Sequence, residues 1–416
     1  MKTSRRTFLT GAGAVAAAAI SQSAHAQSAI EEILNSTQRG QWNDQFDARA
    51  TTQVGQVVST TPIFSPETVS HIEQTLGQYS NIVARGGWPR VPDQNKLQLG
   101  VSHADVQTLR QRLMFSGDLS ESAGISPAFD TYVDAALKRF QTRHGLPSDG
   151  VTGKFTYAAM NVGADVRLGQ LQTNLERLRA IAGSRENRYV MVNIPAAQIE
   201  AVEGDRIVTR HTAIVGKIDR QTPILDSKIN EIIVNPYWNA PESIVRRDII
   251  PLMRKNPNYL TENNIRILGP NGEVDPLTID WSTEEAAKLR FRQDPGRINA
   301  MASVKINFPN SHAVYMHDTP QQSLFNQIER FHSSGCVRVQ NVRDLVTWLL
   351  KNTEGWDRQR FEQTIKAGES VPVALADPVP VYFTYISAWA TGDGVAHFRD
   401  DIYGRDGVDE LRISTL

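Results

Sequence analysis

The run His332-Ser333-Ser334-Gly335-Cys336-Val337-Arg338-Val339 holds the only cysteine of the 416-residue chain, nineteen residues after His317 in Tyr315-Met316-His317-Asp318. A free thiol has a pKa of about 8.5, so only a small fraction is thiolate near neutral pH. An imidazole within hydrogen-bond reach takes the proton and turns the sulfur into a nucleophile. A glycine directly before the thiol lets a substrate approach the backbone, whose N–H groups can then hold an oxyanion. The opposing reading is a lone cysteine serving as a small buried apolar side chain.

The compartment shifts the balance between the two. Lys2, Arg5 and Arg6 precede an apolar, Ala/Gly-rich stretch from Phe8 to Ile20, and Ala24-His25-Ala26 has the small-x-small form of a cleavage site. Residues 1–26 therefore read as an export signal removed near Ala26-Gln27, with Ser4-Arg5-Arg6-Thr7-Phe8-Leu9 of the twin-arginine type. The expected location is the periplasm. The apolar stretch is short for a membrane span, and no second run of spanning length follows, so stable membrane insertion is not expected. In an oxidising space an unpaired thiol is a liability unless it is used or buried, and one cysteine can form neither an internal disulfide nor a multi-cysteine zinc site. The 44 basic and 45 acidic residues give no electrostatic argument for a nucleic-acid partner.

Hydrophobic spacing divides the rest. Residues 27–64 are polar and read as a mobile arm, and 65–99 as a helical scaffold segment. From 100 to 165 a small three-helix unit is expected: Val106, Leu109 and Leu113 share one face of the first helix, and Val133, Ala136, Leu137 and Phe140 one face of the second. A linking helix covers 166–187. From Arg188 the period falls to two, with Val190, Val192 and Ile194 alternating, and 188–386 reads as a β-rich domain. A helical, loop-like insertion at about 240–300, with its helix broken at Pro251, is placed as a lid. After Cys336 the chain is expected to run into a helix capped by Asn341. A C-terminal hairpin and tail occupy 387–416. The fold class is α+β.

Two resemblances join these patterns. Leu109-Arg110-Gln111-Arg112-Leu113, Phe140-Gln141, His144-Gly145-Leu146, Asp149-Gly150-Val151-Thr152-Gly153 and Thr156 resemble the peptidoglycan-binding domain of cell-wall enzymes. The run His317 … Ser333-Ser334-Gly335-Cys336-Val337-Arg338 resembles the active-site signature of L,D-transpeptidases, in the Ser-Ser-Gly-Cys form of the large periplasmic branch of that family. Asn235-Pro236-Tyr237-Trp238-Asn239-Ala240-Pro241 and Phe398-Arg399-Asp400-Asp401-Ile402-Tyr403-Gly404 continue the likeness. One departure is Ala302, where the family pattern has glycine.

The resemblance implies a β-rich catalytic domain with a helical lid, and a reaction in which Cys336 attacks a tetrapeptide stem, expels D-alanine and passes the acyl group to the diaminopimelate amine of another stem as a 3→3 cross-link. It implies His317 as general base, oriented by a backbone carbonyl near Asp318, with His332 as the competing histidine. Gly335 and Cys336 amides are the oxyanion-hole candidates, with Ser334 and the Asp318 side chain in support. Arg338, Tyr315 and Trp238 are the candidate substrate-binding residues. No metal or organic cofactor is implied. Envelope proteins could also serve as acceptors. The same residues would support an L,D-carboxypeptidase or endopeptidase if water resolved the thioester, and a non-catalytic wall-binding scaffold is the third alternative.

Overall fold

The computed structural model describes residues 59–181, 183 and 185–413. The expected export signal, and the expected arm over 27–58, lie outside these residues. Residues 59–64 do not belong to an arm. Ile63 and Phe64 are buried against Tyr189 and Tyr382, the Ile63 amide donates to the Glu200 carboxylate at 3.0 Å, and Thr60 accepts from Ile207 at 3.0 Å. Two large apolar side chains in an otherwise polar run were enough to anchor it.

Helix α1 (Pro66–Ala84) starts on Ser65, whose hydroxyl accepts from the Thr68 amide. The small helical unit follows as α2 (Ala104–Phe115), α3 (Thr131–Arg143) and α4 (Lys154–Asn161). Its core is Val106, Leu109, Leu113, Val133, Leu137, Phe140 and Met160, joined by Leu411 and Ile413 from the chain's end. The turn residues that carry the family likeness work inside this unit. The Gln141 amide bonds Asp149, the Val151 carbonyl and Thr156, and its oxygen accepts from the Gly150 amide at 2.9 Å. Gly145 has φ of +69°, and a Cβ there would lie 2.8 Å from the Arg399 side chain, so this turn also sets how closely the C-terminal segment packs. Helix α5 (Ala164–Ile181) then runs beside α1.

Strands β1 (Arg188–Asn193), β2 (Gln198–Glu203), β3 (Arg206–Gly216) and β4 (Leu225–Val234) begin the main sheet. Strand β1 is apolar on both faces: Val190 and Val192 enter the central core, while Tyr189 and Met191 meet residues of α1 and α5. The expected lid is more than helix and loop. It is a four-stranded antiparallel sheet of β5 (Trp238–Ala240), β6 (Ile265–Gly269), β7 (Gly272–Val274) and β8 (Arg290–Gln293), packed on short helices α6 (Glu242–Ile244), α7 (Ile250–Lys255) and α8 (Tyr259–Glu262). Its own core includes Val245, Ile249, Met253, Leu260, Ile267 and Phe291. Three-residue strands leave too little alternation to read in sequence. Nor does Pro251 end the helix. A π-helical turn over Val245–Ile249 joins α6 to α7, and this wider turn directly precedes Pro251, which has no N–H to donate back along the helix.

The chain returns through β9 (Val304–Asn307), β10 (Met316–His317), β11 (Phe331–Ser333) and β12 (Val337–Val339), helices α9 (Val342–Leu349) and α10 (Arg358–Ala367), and strand β13 (Val371–Thr384). The order is β11-β3-β12-β10-β9-β4-β13-β1-β2, and a further pairing of β3 with β2 closes the sheet on itself. The register of β13 against β4 shifts between Ala374 and Val379 at a Pro-rich bulge. Asn341 stands before α9 but does not cap it. Its φ is +51° and its side chain makes no cap bond. The hairpin β14 (Ala388–Ala390) and β15 (Ala396–Phe398) packs on α1. Among the described residues, no helix is long and apolar enough to cross a membrane.

Ala302 occupies a left-handed backbone position, φ +45°, in the turn before β9. That conformation explains why glycine suits the position. Ala302→Gly is expected to raise unfolding stability by about 0.5–1 kcal/mol, the relief of strain exceeding the added chain entropy. A urea midpoint equal to or below that of the parent chain would contradict it.

Candidate active site

Strands β10 and β12 lie parallel and adjacent, with Met316 beside Val337 and His317 beside Arg338. Met316 and Val337 are fully buried in the central core. Side chains alternate along a strand, so Tyr315, His317, Cys336 and Arg338 all project from the opposite face. The Val337 amide donates to the Tyr315 carbonyl at 3.1 Å, which holds Cys336 across from Tyr315 and diagonal to His317. Diagonal neighbours stand about 7–8 Å apart at Cα, within reach of an imidazole. On the other side, β9 places Lys305 beside His317.

His317 is 7 % exposed, and its Nδ1 lies 2.5 Å from the Asp318 carbonyl oxygen. That contact fixes Nδ1 as the donor and leaves Nε2 as the basic nitrogen. The Asp318 carboxylate has other work: it accepts from the Ser303 hydroxyl at 2.5 Å and the Thr319 amide at 2.8 Å. His332 sits on β11 with Nε2 bonded to the Glu329 carbonyl at 2.8 Å, so its ring is engaged on its own loop.

Burial and neighbouring charge set the protonation states. Desolvation, then the Arg338 guanidinium and Lys305, lower the His317 pKa to about 3. Burial pushes the Cys336 thiol up, opposed by hydrogen bonds from Tyr315 and by the charges of Lys305 and Arg338. Burial likewise raises Tyr315 and lowers Lys305. At neutral pH the resting pair is therefore neutral thiol and neutral imidazole. Two cations stand by to stabilise the thiolate once the proton leaves.

The loop that presents the thiol is held from below. The Ser333 hydroxyl donates to the Cys336 carbonyl at 2.5 Å and accepts from the Gly335 amide at 3.1 Å. The Gly335 amide, one of the two expected oxyanion donors, is thus already engaged, while the Cys336 amide has no acceptor among the described residues. Gly335 has φ of +117°, a conformation open to glycine alone. The Thr222 hydroxyl donates to the Gly335 carbonyl at 2.8 Å and accepts from the Gly216 amide at 2.9 Å. Tyr403 spans the same pair, donating to the Gly216 carbonyl at 2.7 Å and accepting from the Thr222 amide at 3.1 Å. Ser334 is exposed, and its hydroxyl accepts from Arg220 at 2.9 Å. Arg220 in turn grips Asp248 of the lid with two bonds of 2.7 and 3.1 Å.

Trp238, at the lid's base, hydrogen-bonds the Tyr315 hydroxyl. Tyr315 packs edge-on to His317 at 5.5 Å between ring centroids, with Lys305 Nζ 4.4 Å from its own ring centre. Arg338 donates to Gln321 at 2.7 Å, and its buried Nε has no partner among the described residues. Cys336, His317, Tyr315 and Arg338 thus share one face, with Trp238 at its rim, while the Asp318 carboxylate turns to Ser303 and Thr319 and the Gly335 amide to Ser333. Sequence reasoning missed Lys305, Thr222, Arg220 and Tyr403. Lys305 gave a signal, a lone cation alternating with Val304 and Ile306; the others act across distances in sequence that no local pattern reports.

Residues 187–373 match the family model described as the YkuD L,D-transpeptidase catalytic domain, and residues 102–160 that described as "Putative peptidoglycan binding domain". A Haemophilus influenzae protein named "Putative L,D-transpeptidase" is 36% identical over 239 residues, 57% of this chain and 48% of that protein. The chain thus spans about half the length of this curated relative. Among solved structures, an L,D-transpeptidase from Xylanimonas cellulosilytica is 16% identical over 70% of this chain and 99% of its own, with a TM-score of 0.23. One from Stackebrandtia nassauensis is 15% identical over 69% and 94%, with a TM-score of 0.24.

The raised thiol pKa has a measurable sign. A thiol with a raised pKa is less ionised than free cysteine at any given pH. Iodoacetamide should therefore alkylate Cys336 more slowly in the folded than in the unfolded chain near neutral pH, with the rate climbing through the alkaline range. Lys305→Met removes a cation that favours thiolate, and should move the curve further to alkaline pH. A fast, flat rate from about pH 6 upward, the mark of a preformed thiolate–imidazolium pair, would contradict both.

Proposed function

We propose, from the membership of residues 187–373 in the YkuD family of L,D-transpeptidase catalytic domains, that the protein is a peptidoglycan L,D-transpeptidase forming 3→3 cross-links through a thioester on Cys336. The observation that carries the reading is the register of β10 against β12, which puts His317 and the chain's one thiol on the same face of neighbouring strands.

Cys336 Sγ attacks the carbonyl carbon of the third stem residue as His317 Nε2 takes the thiol proton. The carbonyl oxygen becomes an oxyanion, received by the Cys336 amide. The tetrahedral centre collapses, the bond to D-alanine breaks, and the departing amine takes the proton from His317. The diaminopimelate amine of a second stem then attacks the thioester carbon. His317 accepts a proton from that amine, the carbon–sulfur bond breaks, and the thiol is restored. The balance needs no oxidant and no metal. Lys305 and Arg338 favour the transient thiolate, and the planar guanidinium of Arg338 suits a stem carboxylate. Trp238 and Tyr315 line the approach beneath the lid. Export to the periplasm, by the twin-arginine route, belongs to the same proposal, as do envelope proteins as further acceptors.

Purified protein incubated with disaccharide-tetrapeptides is expected to release D-alanine and yield dimers that lack one D-alanine. Tripeptide monomers instead would mean hydrolysis, and neither product from folded protein would mean a scaffold. Cys336→Ala is expected to abolish acylation by a thiol-reactive β-lactam. His317→Ala should slow it by about 10²–10⁴-fold, while His332→Ala stays near the parent rate. Equal losses in the two histidine variants would overturn the assignment of the base.

A further inference from the structure

A roomy cleft lies away from Cys336. It encloses about 630 Å³ between α1, the C-terminal end of α2 and the turn joining β14 to β15. That volume lies within the range of about 300–1,000 Å³ usual for ligand sites. Its walls carry the carboxamides of Gln78, Asn81 and Gln111, the guanidinium of Arg85, the ring of Phe115 and the carboxylate of Asp393. The three carboxamides and Arg85 are exposed and make no side-chain hydrogen bond or ion pair among the described residues. Phe115 is 42% exposed, an apolar ring left at the mouth of a polar cleft. Several polar side chains thus line one space beside an exposed aromatic ring.

We propose that this cleft holds the glycan strand of the cell-wall polymer, a proposal that rests on the peptidoglycan reading above. A carboxamide offers one acceptor and two donors, which matches the acetamido groups and hydroxyls of N-acetylated sugars. An exposed aromatic ring offers a flat apolar face to the C–H face of a sugar ring. The lining bears one cation against two carboxylates, so it has no net attraction for an anionic stem peptide. The residues that resemble a peptidoglycan-binding motif are spent on turns and core within their own unit. Most of the cleft's lining comes from outside residues 102–160, from α1 and the C-terminal hairpin. The binding surface is therefore composite, and exists only where the small helical unit, α1 and the hairpin are packed together. A glycan seated there would keep the enzyme on its polymer while stem peptides reach Cys336 elsewhere.

The test uses the full chain and N-acetylchitotetraose as probe, titrated by calorimetry and by amide chemical shifts. The parent protein should bind, with shifts centred on α1, the end of α2 and the hairpin turn. Phe115→Ala and the pair Asn81→Ala with Gln111→Ala should each weaken binding by about tenfold or more. All three positions are exposed and remote from the thiol, so Cys336 acylation should not change. Absence of chitotetraose binding, unchanged affinity in both variants, or occupation of the cleft by a free tetrapeptide stem in preference to the sugar would each overturn the proposal. Binding that persists in a protein unable to acylate Cys336 would support the cleft while removing the transpeptidase reading, so the two failures are distinguishable.

Discussion

Two adjacent backbones at the middle of the closed sheet, β10 and β12, fix everything that the site does. Met316 and Val337 point inward and are fully buried. Their burial is what commits His317, Tyr315, Cys336 and Arg338 to the other face. A slip of one residue in either strand would exchange the two sets and bury the imidazole or the thiol in the apolar core. Two-residue and three-residue strands could not hold such a register alone. Neighbours β9 and β3, which pair on either side, supply the rest of the constraint.

The second determinant is electrostatic. Removing the site from water disfavours both imidazolium and thiolate, so the resting state is uncharged. Lys305 and Arg338 act in the same sense on the two groups, lowering both pKa values: they hold the proton off His317 and ease it from Cys336. A pair kept neutral in this way is less open to oxidation than a standing thiolate, and the same cations remain in place for the proposed proton transfer. The proposed oxyanion role of the Cys336 amide also requires the thiol-bearing loop to be rigid. Ser333, Thr222 and Tyr403 supply that rigidity through bonds to the carbonyls and amides of Gly216, Gly335 and Cys336.

The loop's support reaches far along the chain. Tyr403 is itself positioned by Tyr385, whose hydroxyl donates to Asp401 at 2.6 Å and accepts from the Tyr403 amide at 2.9 Å. Asp401 accepts from the amides of Arg405 and Asp406, and Asp406 pairs with Arg177 of α5. The C-terminal segment is therefore a brace between the active-site loop and the helices that cover the sheet. Its end, Leu411 and Ile413, enters the core of the small helical unit. Arg143 of that unit, paired with Asp118 at 2.6 Å, bonds the Ala396 carbonyl of the hairpin. Helical unit, hairpin and sheet are thus joined by buried polar contacts as well as apolar ones.

The chain's local chemistry settled a good deal without tertiary information. Period-two spacing marked β1, helical spacing marked α2 and α3, and a lone thiol following a glycine, with a histidine upstream, marked the candidate chemistry. Those features are legible because each depends on residues within a few positions of one another. Others are not. The order β11-β3-β12-β10-β9 brings Lys305 into the site and sends the ring of His332 to its own loop, and no local pattern encodes which strand lies beside which. The lid's small sheet, the engagement of the Gly335 amide by Ser333 and the clasp of Arg220 on Asp248 are likewise contacts between segments that meet only when the whole sheet has closed. Spacing along a chain reports which face a side chain takes, whereas packing alone decides what that face will meet.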